Sequence, residues 1–205
     1  MSVELKQIEL QKEFEEVIAL DNKLDIQDFL NNQNISDVAN LIYENENFES
    51  NIVSHLSLHR AASVFKILEL PTQKKIIKSL PAFKTAELLN ELPPDDRTSF
   101  LSELPSNAVR ELVKTLNPEE RKITLSLLGY PEGSVGRLMT PDYVYVYEHD
   151  TVEDVLNTIR KYATNSETID VLYVINDKGE LLDDIRIKDF IMATPDKRVD
   201  ELMDG

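Results

Sequence analysis

From residue 70 onward, the apolar positions fall into short blocks punctuated by proline. Leu-Pro recurs at Leu70-Pro71, Leu80-Pro81, Leu92-Pro93 and Leu104-Pro105, and Leu116-Asn117-Pro118 continues the series. The interval is constant from Leu80 through Leu92 and Leu104 to Leu116, and slightly shorter between Leu70 and Leu80. Inside the blocks, apolar residues recur three or four apart: Phe83, Ala86, Leu88, Leu89 and Leu92, then Phe100, Leu101 and Leu104, then Val109, Leu112, Val113 and Leu116. Proline fits the first turn of a helix, where its missing N–H costs nothing, and disrupts a helix interior. The pattern predicts a series of short helices, each ending before the next proline. Helices of this length are marginal in water by themselves. They must stack and bury their stripes against one another, as in an α-solenoid. Upstream, Leu5–Ala19 reads as a charged amphipathic helix, residues 25–30 as a short mixed segment, and Ser36-Asp37 as the cap of a helix carrying Val38, Leu41 and Ile42. Residues 1–128 are read as all-α.

The pattern changes after Leu128. Gly129-Tyr130-Pro131-Glu132-Gly133 is a break and a candidate hinge. Tyr143–Tyr147 alternates tyrosine with valine, as a strand with one face of each kind does. Val152, Val155, Leu156 and Ile159 form the stripe of a helix opened by Asp150-Thr151, with Glu153 and Asp154 complementing its dipole. Val171–Ile175 is continuously apolar, which predicts a buried central strand. Asn176-Asp177-Lys178-Gly179 is a tight turn into a second strand over 180–187, and Lys188–Met192 begins a short helix. The chain therefore divides into a helical-repeat domain, 1–130, and a mixed α+β segment of order β-α-β-β-α, 131–205.

Charge and composition narrow the functional classes. There are 38 acidic and 22 basic side chains in 205 residues, a formal net charge of −16. Such a chain is repelled by nucleic acid and by anionic membrane surfaces, so no nucleic-acid partner is expected, and divalent cations are its natural counter-ions. The acidity is confined to the two ends: residues 1–55 and 131–205 each carry a net −9, and residues 56–130 a net +2. Absence of cysteine rules out disulfides, thiolate-bound zinc and thiol catalysis. No apolar run approaches the ~20 residues of a membrane span, and the N-terminus lacks a signal-peptide pattern. The chain as given is expected to be soluble.

Candidate chemistry is sparse. Asp95 and Asp96 follow Pro93-Pro94 at a helix start, where carboxylates complement the dipole and also suit a hard cation that takes oxygen ligands. His55 and His59 are four apart and form half of a zinc site, without an evident third ligand. The alternating Tyr143, Tyr145 and Tyr147 are either packing residues or a contact surface. No P-loop, Gly-x-Gly-x-x-Gly or Gly-x-Ser-x-Gly occurs, and the chain is read as a non-enzyme.

Residues 138–190 resemble a CBS motif. The matching stretches are Leu138-Met139-Thr140-Pro141, Thr151-Val152-Glu153-Asp154-Val155-Leu156, Leu172–Leu181 across the hairpin, and Ile187-Lys188-Asp189-Phe190. Glu201-Leu202-Met203-Asp204-Gly205 echoes Arg137–Pro141, and Met203 follows Met139 at the length of one CBS motif. That echo places the start of a second CBS motif at the end of the chain. Together with Leu92-Pro93-Pro94-Asp95-Asp96-Arg97, Gly136–Pro141 and Glu167-Thr168, the arrangement resembles the cytosolic half of the MgtE family of magnesium transporters. That resemblance implies a right-handed helical-repeat N domain followed by the first CBS motif. It further implies a regulatory role on the cytoplasmic side of the cell inner membrane, Mg²⁺ as the bound ion with Asp95 and Asp96 as candidate ligands, and a transmembrane pore domain beyond this chain. It makes Asp189 the candidate nucleotide contact. Asp183 and Arg186 stand where CBS motifs usually carry Gly and then Ser or Thr, and so oppose nucleotide docking. The alternative is a soluble CBS adaptor that senses adenosine nucleotides and binds a protein partner through its helices. A lone CBS motif is expected to leave the Val152, Val155 and Ile159 side of its first helix uncovered and to form a homodimer through residues 134–205.

Overall fold

The computed structural model describes residues 3–162 and 169–204; the Glu167-Thr168 match and Gly205 lie outside them. The chain divides into two compact units, Met1–Leu138 and Met139–Gly205.

The first unit is a run of short helices: α1 (Val3–Ala19), α2 (Lys23–Asn32), α3 (Ile35–Glu44), α4 (Glu49–His55), α5 (Leu58–Ile67), α6 (Leu70–Ser79), α7 (Ala82–Glu91), α8 (Pro94–Ser102), α9 (Ser106–Thr115), α10 (Pro118–Leu128) and α11 (Val135–Leu138). Helices pack on the one after next (α2 on α4, α3 on α5, α4 on α6, α5 on α7, α8 on α10), which is the stacking that their short apolar stripes require. The expected cap of α3 is displaced. Asn34 stands at the N-cap in an extended conformation, while Asp37 lies in the first turn and pairs with Lys6 of α1 at 2.7 Å, an ionic contact that holds its carboxyl below the usual aspartate range.

The repeat starts earlier than its prolines do. Leu56, Leu68, Leu80, Leu92 and Leu116 each end a helix in an extended conformation, and all five are buried. With Leu104 and Leu128 they form one evenly spaced series from position 56 to position 128. Leu70 of the first Leu-Pro pair is out of phase, because it opens α6 instead of ending α5. Proline forces the residue before it out of the helical region, but Leu56-Ser57 and Leu68-Glu69 make the same corner without one. The buried leucine is thus the constant element. Leu68→Ala and Leu92→Ala are expected to cost the helical unit about 3 kcal/mol each by urea denaturation. A Leu68 variant within about 1 kcal/mol of wild type would show that the buried leucine is not what holds the corner.

Each such corner leaves carbonyl groups without helical partners, and at alternate corners a side chain from the following helix supplies donors. Gln73 Nε2 donates to Phe65 O at 2.8 Å. Arg97 Nη1 donates to Leu89 O and Leu92 O, both at 3.1 Å. Arg121 donates to Val113 O at 3.1 Å, Lys114 O at 2.6 Å and Leu116 O at 3.0 Å. Gln73, Arg97 and Arg121 are evenly spaced, and Phe65, Leu89 and Val113 share their interval, which is twice that of the leucines. The true structural repeat is therefore a pair of helices. Arg97 is completely buried and also bonds Thr124 Oγ1 at 2.8 Å and the Glu120 carboxylate. Arg137 of α11 donates to Leu128 O at 2.7 Å and Tyr130 O at 2.8 Å. The Gly129–Gly133 break, expected as a hinge, is therefore tied into the first unit.

The second unit contains β1 (Tyr145–Tyr147), α12 (Val152–Tyr162), β2 (Val171–Ile175), β3 (Leu181–Arg186), α13 (Ile187–Met192) and a closing 3₁₀ turn, Val199–Glu201. The sheet order is β1-β2-β3, with β1 parallel to β2 and β3 antiparallel to it, so β2 is central as its unbroken apolar run predicts. Gly179 adopts φ +77 in the hairpin, where Asn176 Oδ1 accepts the N–H groups of Lys178 and Glu180. Val144 and Val146 point into a core with Leu172, Val174, Ile185 and Phe190, and Tyr145 and Tyr173 lie on the opposite, exposed face. The expectation for α12 is corrected here. Val152, Val155 and Ile159 are buried inside this unit's own core, Val155 at 0% exposure. The helix covers one face of its own sheet, and the face left open is the tyrosine face.

Candidate metal site

Asp95 and Asp96 both lie in the first turn of α8, which Pro93 and Pro94 start. Acidic side chains there complement the helix dipole. Glu119 and Glu120 occupy the same positions of α10, one helix pair later, so part of this pattern belongs to the repeat. Two further facts set the aspartates apart. Asp95 Oδ1 is buried and has no hydrogen-bond partner, which leaves a carboxylate oxygen desolvated without compensation. Asp96 is half-buried, and burial, followed by the neighbouring Asp95 charge, raises its carboxyl above the ordinary 3.8 against the opposing pull of Lys66. Lys66 Nζ of α5 lies 3.6 Å from Asp96 Oδ2, and both side chains are one-third exposed.

Asp96 also lines a groove of about 460 Å³ walled by the end of α5, the start of α6 and α8. Ser99 and Glu103 of α8 line it one and two turns on, and Gln73 faces them from α6. A small hard cation that retains part of its hydration shell fits such a place, since one or two carboxylates suffice as its protein ligands. Among the described residues, no cluster of three or more acidic, histidine or cysteine side chains is placed to hold a metal ion. Of the two aspartates, Asp96 is the one that lines the groove.

The other candidates disperse. His55 Nδ1 contacts Asn51 O at 2.9 Å in its own helix, and His59 Nδ1 contacts Glu91 at 3.2 Å, so the two imidazoles have separate local partners. In the second unit, a cavity of about 450 Å³ is lined by Thr140, Asp142, Tyr143, Asp170, Tyr173 and Gly179, among others. Tyr143 and Tyr173 meet there edge to face at 5.7 Å. Asp189 is exposed on α13 and is not among the residues lining this cavity. Asp183 uses its carboxylate locally, accepting the N–H groups of Asp184 and Asp204. Arg97, Gln73 and the unpaired oxygen of Asp95 escape sequence reasoning. The first two betray themselves only through the helix-pair interval, and the third has no sequence signal.

Comparison with known proteins agrees with this division. Residues 33–133 match the MgtE intracellular N domain and residues 135–196 the CBS domain. The chain is 31% identical over 158 residues to the magnesium transporter MgtE of Bacillus subtilis (strain 168), which is 77% of this chain and 35% of that protein. It is 43% identical over 88 residues to the magnesium transporter MgtE of Thermus thermophilus, 43% of this chain and 20% of that protein. The crystal structure of the cytosolic domain of the Mg²⁺ channel MgtE in complex with ATP superposes with a TM-score of 0.89 at 31% identity, covering 95% of this chain and 80% of that one. The soluble part of a magnesium transporter gives 0.85 at 20% identity over 96% of this chain and 78% of that one, a likeness of fold. The matched region thus spans about a third or less of the curated relatives' length.

Proposed function

This chain belongs to the MgtE family, and from that premise we propose that it is a magnesium-responsive regulatory region acting on the transport path of a longer protein. No helix among the described residues is long and apolar enough to cross a membrane, so the path itself would be formed by other segments, with this region on the cytoplasmic side. The observation that carries the reading is the unpartnered, buried Oδ1 of Asp95, next in the chain to Asp96, which lines the groove. Asp95 and Asp96 would supply the carboxylates for Mg²⁺, with water and other acidic segments completing the shell. Clustered carboxylates on separate units repel one another, and a bound Mg²⁺ neutralises them and favours their association. The ion biases the path only as far as it binds the associated state more tightly than the separated one.

Pairing of two copies through the CBS unit is part of the proposal. Its contact surface is the open sheet face carrying Tyr145, Tyr173 and Leu181. Nucleotide binding is a second reading, favoured by the tyrosine-walled cavity, with Asp189 as a contact brought in by association.

Isothermal titration of the 205-residue chain tests both. Mg²⁺ is expected to bind with a signal that Asp95→Asn abolishes. Identical titrations of the two proteins would overturn the assignment of Asp95. Saturable ATP or AMP binding that survives Asp95→Asn would support the second site.

A further inference from the structure

The helix-pair repeat neutralises the second first-turn carboxylate of α10, and one helix pair earlier that partner is missing. Glu120 of α10 is neutralised by the buried Arg97 of α8. One helix pair earlier, the place of Glu120 is taken by Asp96 and the place of Arg97 by Gln73. Gln73 keeps half of the arginine's work, since its amide still caps Phe65 O at 2.8 Å. A neutral amide cannot supply the other half, the positive charge. Asp96 therefore faces Gln73 across the groove with a carboxylate that the repeat elsewhere neutralises. The charge it does receive comes from outside the repeat, through Lys66 of α5 at 3.6 Å.

We propose that Lys66 is a tethered counter-cation that competes with Mg²⁺ for Asp96 and so sets the ion concentration at which the region responds. This rests on the reading of Asp95 and Asp96 as the Mg²⁺ carboxylates. Lysine suits the task better than arginine. Its ammonium is a compact, strongly hydrated charge on a flexible stem, whereas guanidinium makes a fixed, bidentate pair. At 3.6 Å with both groups one-third exposed, the contact is of the kind worth little in water, so a divalent ion can displace it. Glu103, Ser99 and Gln73 line the same groove and stay in place when the ammonium swings out. The absent arginine at position 73 is what makes the carboxylate available, and the lysine keeps it from being available at every ion level.

The test is Mg²⁺ titration of the full chain by calorimetry in five variants, with circular dichroism to confirm folding. Lys66→Met is expected to tighten Mg²⁺ binding about fivefold, because the competing ion pair is removed. Lys66→Arg is expected to leave it at or below the wild-type level. Gln73→Arg restores the missing guanidinium and is expected to weaken binding at least tenfold while raising the melting temperature. Asp96→Asn is expected to abolish it. Lys66→Met within twofold of wild type, with Asp96→Asn still abolishing binding, would overturn the competition and leave the carboxylate site standing. Binding unchanged by Asp96→Asn and Asp95→Asn alike would overturn both. If Lys66→Met fails to fold, Lys66→Gln carries the same expectation.

Discussion

Arg97→Ala is expected to destabilise the helical unit by about 4 kcal/mol. The guanidinium is completely buried and makes three kinds of bond there: to the carbonyls of Leu89 and Leu92 that end α7, to Thr124 Oγ1, and to the Glu120 carboxylate. Alanine leaves all of these acceptors without a donor and opens a cavity. Removing one member of a buried, hydrogen-bonded pair costs about 3–5 kcal/mol, more than an ordinary side-chain hydrogen bond returns. The matched control is Glu120→Gln. Glu120 is partly exposed, its amide replacement still accepts a bond, and the helix end stays capped, but the buried guanidinium loses its counter-charge, so about 2–3 kcal/mol is expected, less than for Arg97→Ala. Urea denaturation followed by far-ultraviolet circular dichroism checks both. Equal losses in the two variants would mean that the ion pair, and not the helix end, is what Arg97 serves.

Val155→Glu is expected to unfold the CBS unit, costing about 5 kcal/mol or more. Val155 has no exposed surface and sits in the core with Val146, Val174 and Phe190. A carboxylate placed there has neither water nor a partner, and an unpaired buried charge is among the most destabilising changes available. Loss of amide protection in β2 by hydrogen exchange, with the helices of the first unit still protected, is the expected signature. Tyr173→Asp provides the contrast. Tyr173 lies on the same central strand but on the open face, at 38% exposure, so that variant is expected to keep the fold. A folded Val155→Glu unit with protected β2 amides would contradict the described core.

The two variants also show where the fold was legible and where it was not. Strand β2 and the hairpin after it follow directly from five consecutive apolar residues and a glycine that takes positive φ. The stripe on α12 was equally legible as apolar, but periodicity says that a face is buried and not what buries it. Its own sheet does so, and only the pairing of β1 with β2 reveals this. In the helical unit, proline was the conspicuous marker and leucine the operative one. Leu56 and Leu68 carry the repeat through two corners where no proline signals it. The aspartates were visible from their place at a helix start. What distinguishes Asp95, an oxygen with no partner, is a property of three-dimensional surroundings that no local pattern encodes. The glutamine at position 73, where the later pairs carry Arg97 and Arg121, needed the structure to fix the phase of the repeat. Once that phase is known, the even spacing of the three can be read in the sequence itself.

The direction of the caps has a consequence for how the chain comes into being. Gln73, Arg97, Arg121 and Arg137 all reach backwards, closing helix ends that precede them by a few residues. Synthesis proceeds from the N-terminus, so α5, α7, α9 and α10 are each finished by a residue that leaves the ribosome after them. A nascent chain released just short of one of these donors ends on a helix whose carbonyls are still bare; a little further on it is sealed. On this geometry the solenoid is expected to be completed by steps of one helix pair, from its N-terminal end toward Arg137.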